Sequence, residues 1–129
     1  MSTIFSKIIS GEIPSYKVAE NEDFLAFLDI NPNSVGHTLC IPKKEIDNIL
    51  DLDENTYQEL MKFSRKVALS IDNVIDCERV SFSVIGLEVP HVHVHLIPIK
   101  NMDEATFKVK IKVSDIKMQE IADRIKSNF

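Results

Sequence analysis

His91-Val92-His93-Val94-His95-Leu96-Ile97-Pro98 is the stretch that decides the fold of this 129-residue chain. Three of the four histidines in the chain fall here and alternate with apolar residues. A period of two is the period of a β-strand, in which successive side chains point to opposite faces of a sheet. The pattern therefore predicts a strand that turns its apolar residues toward a core and presents His91, His93 and His95 together on the other face.

Three interpretations of this predicted histidine strand are open from the residues alone. It can be a surface strand without a function. It can provide ligands for zinc, because His-x-His on a strand places two imidazoles on one side. It can also be a catalytic site, in which one imidazole attacks a substrate while its neighbours neutralise charge and move protons. We favour the catalytic interpretation, with the central His93 as the nucleophile because it has an imidazole on each side.

Composition and charge exclude several classes of protein. The formal net charge of −5 is unsuited to a nucleic-acid backbone, which requires a basic face. No apolar run approaches the roughly 18 residues of a membrane-spanning helix, and the first residues lack a signal-peptide core. Cys40 and Cys77 have no C-x-x-C spacing, which predicts reduced thiols. We therefore expect a cytoplasmic protein that binds neither nucleic acid nor membranes.

Hydrophobic periodicity and turn residues predict an α+β domain. The predicted elements, in chain order, are a helix over 4–10, strands over 16–20, 24–28 and 37–41, a helix opened by a capping box of Asp51 and Glu54, a strand over 80–84, the histidine strand, and a helix capped by Ser114. Residues 100–112 have no assignment. This order indicates an antiparallel sheet of about five strands with helices packed on it, in one domain over residues 1–129.

Three blocks of the sequence resemble one known family. The histidine motif is similar to His-φ-His-φ-His-φφ, with φ apolar, the signature of the histidine-triad (HIT) superfamily. Residues 3–14 resemble the opening segment of that family, and residues 26–44 resemble its central block. The resemblance covers about residues 3–100, the motif-bearing core, and leaves a C-terminal helical extension at about 114–128. It implies the HIT-like fold and is greatest for the nucleoside phosphoramidase branch.

The resemblance also implies an activity and a set of partners. The activity is cleavage of purine nucleoside 5′-phosphoramidates, or related adenylated compounds, through a nucleotidyl-histidine intermediate. The expected partners are an AMP-like purine nucleotide and a second copy of the chain in a homodimer, with no metal and no other cofactor. The alternative is a nucleotide-binding regulatory protein whose hydrolysis is vestigial.

The family likeness assigns roles to individual residues. His93 matches the nucleophile, His91 and His95 match its flanking histidines, and His37 matches an upstream histidine that supports them. Asp29 matches the acidic residue that holds the ribose hydroxyls. The apolar walls around the purine match Phe5, Ile8, Phe27, Ile30 and Leu39, for which core packing is the other interpretation.

Two regions depart from the family pattern. Leu87 and Glu88 stand where a glutamine and a small hydroxyl residue are usual, so anion stabilisation would rest on backbone N–H groups of the turn that ends at Val89. A carboxylate beside a phosphate costs binding, and we hypothesise that Glu88 favours leaving groups that carry an amine, such as lysine. The cysteines and histidine of a zinc site in bacterial relatives are replaced at Thr3–Ser6 and Glu45, which predicts that this zinc site is absent.

Overall fold

A five-stranded antiparallel sheet organises the chain, which confirms the predicted fold class. The structure is a computed structural model that describes residues 3–129. Its helices and strands are α1 (Ile4–Ser10), β1 (Lys17–Glu20), β2 (Phe24–Leu28), β3 (Thr38–Pro42), α2 (Glu54–Val74), β4 (Arg79–Ser83), β5 (Val94–Ile99) and α3 (Asp115–Ser127). The strand order is β1-β2-β3-β5-β4. Within residues 3–129, no helix has both the length and the apolar composition needed to cross a bilayer.

Both faces of the sheet are covered, and different helices cover them. On one face, α2 and α3 pack against Ala26 and Leu28 of β2 and Leu96 of β5. On the other face, Phe5 and Ile8 of α1 form a smaller cluster with Leu25, Phe27, Leu39 and Ile41. Because successive side chains of a strand alternate between faces, β2 is buried at every position. The smaller cluster leaves room for a pocket beside α1.

The helix ends follow local capping chemistry, with one correction to the prediction. Ser114 caps α3 by accepting a hydrogen bond from the Lys117 N–H, as predicted. The cap of α2 is Asp53, whose carboxylate accepts from the Thr56 N–H at 3.0 Å. The predicted capping box of Asp51 and Glu54 is therefore wrong, because Asp51 ends a short 3-10 helix and is not placed at the start of α2.

The histidine strand is shorter than its alternating pattern predicts. β5 begins at Val94, so His91 and His93 precede it. The N–H of His91 donates to the Val89 carbonyl at 2.8 Å, and the N–H of Val92 donates to the Ile46 carbonyl at 2.7 Å. These bonds to loop residues take the place of ladder bonds to neighbouring strands at the start of the predicted strand. The predicted alternation of side chains still holds, because Val92, Val94 and Leu96 lie in the large core, whereas His91 and His93 both contact Phe5 and His93 contacts His95.

Two smaller expectations concern the third strand and the cysteines. The third strand runs one residue later than predicted, so Pro42 is its last residue and His37 lies just before it. Cys40 and Cys77 are free thiols, as predicted, and Cys40 is fully buried in the core.

Gly36 generates a prediction about stability, because it precedes His37 in a left-handed turn with φ +94°. A Cβ there would lie 3.0 Å from Ile75 Cγ1 and 3.3 Å from Pro98 Cγ. We expect Gly36→Ala to lower the free energy of unfolding by about 2–4 kcal/mol, from backbone strain and overpacking together. The control is Gly11→Ala, where φ is +86° but the space is open, and its expected cost is about 1–2 kcal/mol. Equal losses in urea unfolding would contradict the packing argument.

Candidate active site

A pocket of about 490 Å³ opens between α1, the end of β2 and the loop before β5. Ten of the twelve predicted site residues line it, namely Phe5, Ile8, Phe27, Asp29, Ile30, Leu39, Glu88, Val89, His93 and His95. The other two, His37 and His91, do not line the pocket and are fully buried behind it. The structure therefore brings the predicted residues into one region but divides the four histidines into two that face the pocket and two that lie behind it.

The five apolar residues predicted as purine walls have two different environments. Phe5, Ile8, Phe27 and Leu39 are buried in the cluster beneath α1 and also line the pocket. For these four residues both interpretations hold, because each side chain packs in the cluster and also lines the pocket. Ile30 is 76% exposed at the pocket rim and packs in neither core cluster.

His93 has a single tautomer that follows from its hydrogen bond. Its Nδ1 lies 2.7 Å from the carbonyl oxygen of His91. A carbonyl can only accept, so Nδ1 carries the proton and Nε2 keeps its lone pair. The Phe5 ring meets the imidazole edge-on, with the two centroids 5.0 Å apart. Burial lowers the pKa of His93, which keeps the ring neutral and the lone pair available for attack.

His95 belongs to a chain of hydrogen bonds that begins at the backbone. The Asn33 N–H donates to His37 Nδ1 at 3.0 Å. The proton of neutral His37 is then on Nε2, which lies 2.9 Å from His95 Nδ1 and donates to it. His95 in turn carries its proton on Nε2. Burial lowers the pKa of His37 to about 3 and that of His95 to about 4, so both imidazoles are neutral near pH 7.

His91 is held from both sides, away from the pocket. Its Nε2 donates to the carbonyl oxygen of Pro42 at 2.7 Å. Its Nδ1 is then free to accept from the Thr3 hydroxyl, at 3.4 Å. The Thr3 N–H and the Ser6 hydroxyl also donate to the Glu45 carboxylate. The residues that replace the zinc ligands of bacterial relatives therefore lie together in one hydrogen-bonded cluster. This cluster contains no thiolate, whereas structural zinc sites are built from thiolates and imidazoles.

Asp29 lies where the pocket meets the buried histidines. Its Oδ1 accepts from the Asn31 N–H at 2.8 Å, and its Oδ2 is 3.6 Å from His37 Nε2. Burial raises the pKa of the Asp29 carboxyl above its usual range. Asp29, His37 and His95 each offer a ligand atom within 4.8 Å of the others, which makes them the group among residues 3–129 that could hold a metal ion. A metal there would have to displace the proton that His37 donates to His95.

Comparison with known proteins gives the family. The model of the HIT domain matches residues 10–102. The chain belongs to the HIT family. An uncharacterized HIT-like protein of Borreliella burgdorferi is 37% identical over 135 residues, with 98% of this chain and 97% of the relative covered. The adenosine 5′-monophosphoramidase of Schizosaccharomyces pombe is 39% identical over 106 residues, with 78% and 77% covered.

A solved structure of the family has the same fold. It is described as a hypothetical histidine triad nucleotide-binding protein from Sulfolobus tokodaii, and it is 33% identical to this chain. The superposition covers 97% of this HIT chain and 90% of the other, with a TM-score of 0.86. The family resemblance inferred from the three sequence blocks is thereby confirmed.

The sequence analysis missed several residues of this HIT site, and three of them bear on its chemistry. Phe107 and Lys110 line the pocket from the unassigned segment 100–112, and Asn33 orients His37 through its backbone. The signal over 107–112 was an alternation of apolar and basic residues, which resembles an exposed strand. The structure shows no strand there. A backbone donor such as the Asn33 N–H leaves no side-chain signal to detect.

The buried neutral histidines predict a pH dependence of stability. The pKa of a histidine is about 6.5 in an unfolded chain, but about 3 for His37 and about 4 for His95 in the fold. The unfolded state thus takes up protons first, so stabilisation is complete above about pH 6.5 and falls progressively as the pH drops toward these lower values. Urea unfolding at about pH 7 and about pH 5 measures this loss. We expect a smaller loss in His37→Asn, and an equal loss would contradict the assignment.

Proposed function

We propose that this HIT protein hydrolyses purine nucleoside 5′-phosphoramidates, or related adenylated compounds, through a nucleotidyl intermediate on His93 and without a metal. The observation that carries the proposal is the hydrogen bond from His93 Nδ1 to the His91 carbonyl, at 2.7 Å. It leaves a nucleophilic Nε2 on a side chain that lines the pocket. The adenosine phosphoramidase among the relatives supports the substrate class.

The proposed reaction has two displacements at phosphorus. In the first, His93 Nε2 forms a bond to phosphorus, the bond to the leaving nitrogen breaks, and that nitrogen takes a proton from water. In the second, water displaces the imidazole, which releases the nucleoside monophosphate and a proton. His95 is neutral, so its Nε2–H acts as a hydrogen-bond donor toward a phosphoryl oxygen and not as a general acid.

The residues around His93 support positions for the nucleoside. Asp29 is in reach of a ribose from the polar side of the pocket, and its carboxylate oxygens can accept from two hydroxyl groups. Phe5, Phe27 and Leu39 form an apolar wall on which a purine can stack or pack. The buried His37 and His91 contact no substrate in this scheme and act by orienting the histidines or the loop in front of them.

A nucleotide-binding regulator is the second candidate, and one observation favours it. Glu88 lines the pocket with a carboxylate, and the neighbouring Leu87 is 90% exposed and offers no hydrogen-bond donor from its side chain. A phosphate is less well stabilised by this loop than by one with polar side chains. A regulator would bind AMP but show no turnover that depends on His93. The homodimer and the cytoplasmic location stay predictions from the sequence.

The proposal predicts a covalent adduct on His93. We expect mass spectrometry of the protein, quenched during turnover of adenosine 5′-phosphoramidate, to show an adduct of AMP mass on His93. His93→Ala should lose the adduct and reduce kcat/KM by at least about 1,000-fold, while it still binds AMP. Turnover should be unchanged in EDTA. His93-independent turnover would contradict the nucleophile, and loss of activity in EDTA would contradict metal independence.

Glu88 predicts a preference between leaving groups. A carboxylate at the pocket mouth attracts a cationic amine and repels other anions, so lysyl phosphoramidates should be preferred over uncharged amides. We expect Glu88→Gln to reduce the ratio of the two kcat/KM values by about threefold to tenfold. Glu78→Gln changes an exposed carboxylate that does not line the pocket and serves as the control. An unchanged ratio in Glu88→Gln would refute the preference.

A further inference from the structure

Within residues 3–129, the pocket contains more acidic than basic side chains, and a single basic side chain is available to balance the charge of a phosphate. Asp29 and Glu88 contribute carboxyl groups, and His93 and His95 are held neutral. Among the described residues that line the pocket, Lys110 is the only lysine or arginine. A bound phosphoramidate adds a further negative charge to a site that already holds two carboxyl groups. An unpaired anion in such a partly buried site is costly.

We propose that Lys110 binds the phosphate group of the substrate and sets the preference of the site for nucleotides over nucleosides. This inference rests on the proposed function, since it names the group that receives the phosphate at the same site. Lysine is a compact cation with three donors on a flexible stem, which suits contact with phosphoryl oxygens that shift during a displacement. The side chains of Leu87 and Glu88 in the facing loop cannot provide a cationic donor.

The segment that carries Lys110 is tied to the body of the protein at both ends. The Asn33 side-chain amide donates to the carbonyl of Glu104 at 2.9 Å. The Ile111 N–H donates to the carbonyl of Pro32 at 3.0 Å. Both anchors are in the loop that also orients His37. Residues 104–111 therefore form a strap across the histidine side of the pocket, and we call this segment the strap.

Phe107 places the strap directly against the histidines. Its ring centroid is 4.8 Å from that of His95 and 6.0 Å from that of His37, both edge-on. The Lys110 Nζ lies over the same Phe107 ring, 4.9 Å from its centroid. The aromatic ring thus holds the ammonium beside His95 by a cation–π interaction and leaves its donors free for an anion.

The backbone of Phe107 indicates that this placement is enforced. Its φ is +65°, and it is the only non-glycine residue with positive φ among residues 3–129. Such a conformation is unfavourable for a bulky side chain and persists only where the surrounding contacts hold it. Here those contacts are the two anchors of the strap and the packing of the ring on His95. Strain of this kind is concentrated at functional sites.

The test compares a ligand with a phosphate and one without, AMP and adenosine, by calorimetry. We expect Lys110→Met, which keeps an apolar stem on Phe107, to weaken AMP binding by about tenfold or more and to leave adenosine binding unchanged. The deficit should shrink at high salt. Lys110→Arg should retain most of the affinity for AMP. The control is Lys108→Met, an exposed lysine of the strap that does not line the pocket, which should behave as wild type.

The outcomes separate this inference from the proposed function. Unchanged AMP binding in Lys110→Met, or an equal loss for AMP and adenosine, overturns the role of Lys110 even if the wild type turns over adenosine phosphoramidate. A selective loss for AMP in a protein with no turnover supports Lys110 and overturns the proposed hydrolysis. A wild type that binds neither ligand overturns both. Thermal unfolding of Lys110→Met and Lys110→Arg confirms that the variants compared are folded.

Discussion

The burial of four imidazoles in one small volume is the constraint on which this site depends. His37, His91, His93 and His95 are each less than a tenth exposed. Burial lowers the pKa of His37, His93 and His95, because a protonated ring would lose its hydration, so these three imidazoles are neutral near pH 7. Each ring also needs a partner for its polar atoms, and main-chain groups supply most of them. These bonds assign the tautomers, and the tautomers distinguish His93, whose Nε2 keeps a lone pair, from His95, whose Nε2 carries a proton.

Packing on both faces of the sheet explains how the histidines keep the positions that these hydrogen bonds require. Val94 and Leu96 are fully buried against the helices on one face, while His95 between them turns toward the other face. The large core of α2 and α3 therefore holds the strand, and the small cluster beneath α1 forms the pocket wall. A site on a strand anchored from behind keeps its geometry better than one on a free loop. The same arrangement lets Phe5 serve both the core and the pocket.

Local sequence patterns predicted most of the helices and strands, but they predicted only some of the site residues. The spacing of apolar residues placed α1 and β2 at their observed bounds. Alternation predicted a strand that begins at His91, but β5 begins at Val94, because the backbone before it bonds to loop residues. Lys110 and Phe107 were not identified, because their role depends on contacts with residues distant in sequence, which form only when this segment crosses the pocket. Asn33 acts through its backbone N–H, which every residue except proline possesses.

The sequence by itself determined the α+β fold class, the family, and which side chains are chemically able to attack, to hold a ribose or to line an apolar wall. These properties belong to residue types and to short periods along the chain, which is why they can be inferred from the sequence alone. Only the tertiary structure decided that His93 is the imidazole with a free nitrogen in the pocket, that His91 and His37 lie behind it, and that the strap carries a cation to it. The reason is that a proton position and a local charge balance depend on groups distant in sequence, which the folded chain alone brings within hydrogen-bonding or Coulombic reach.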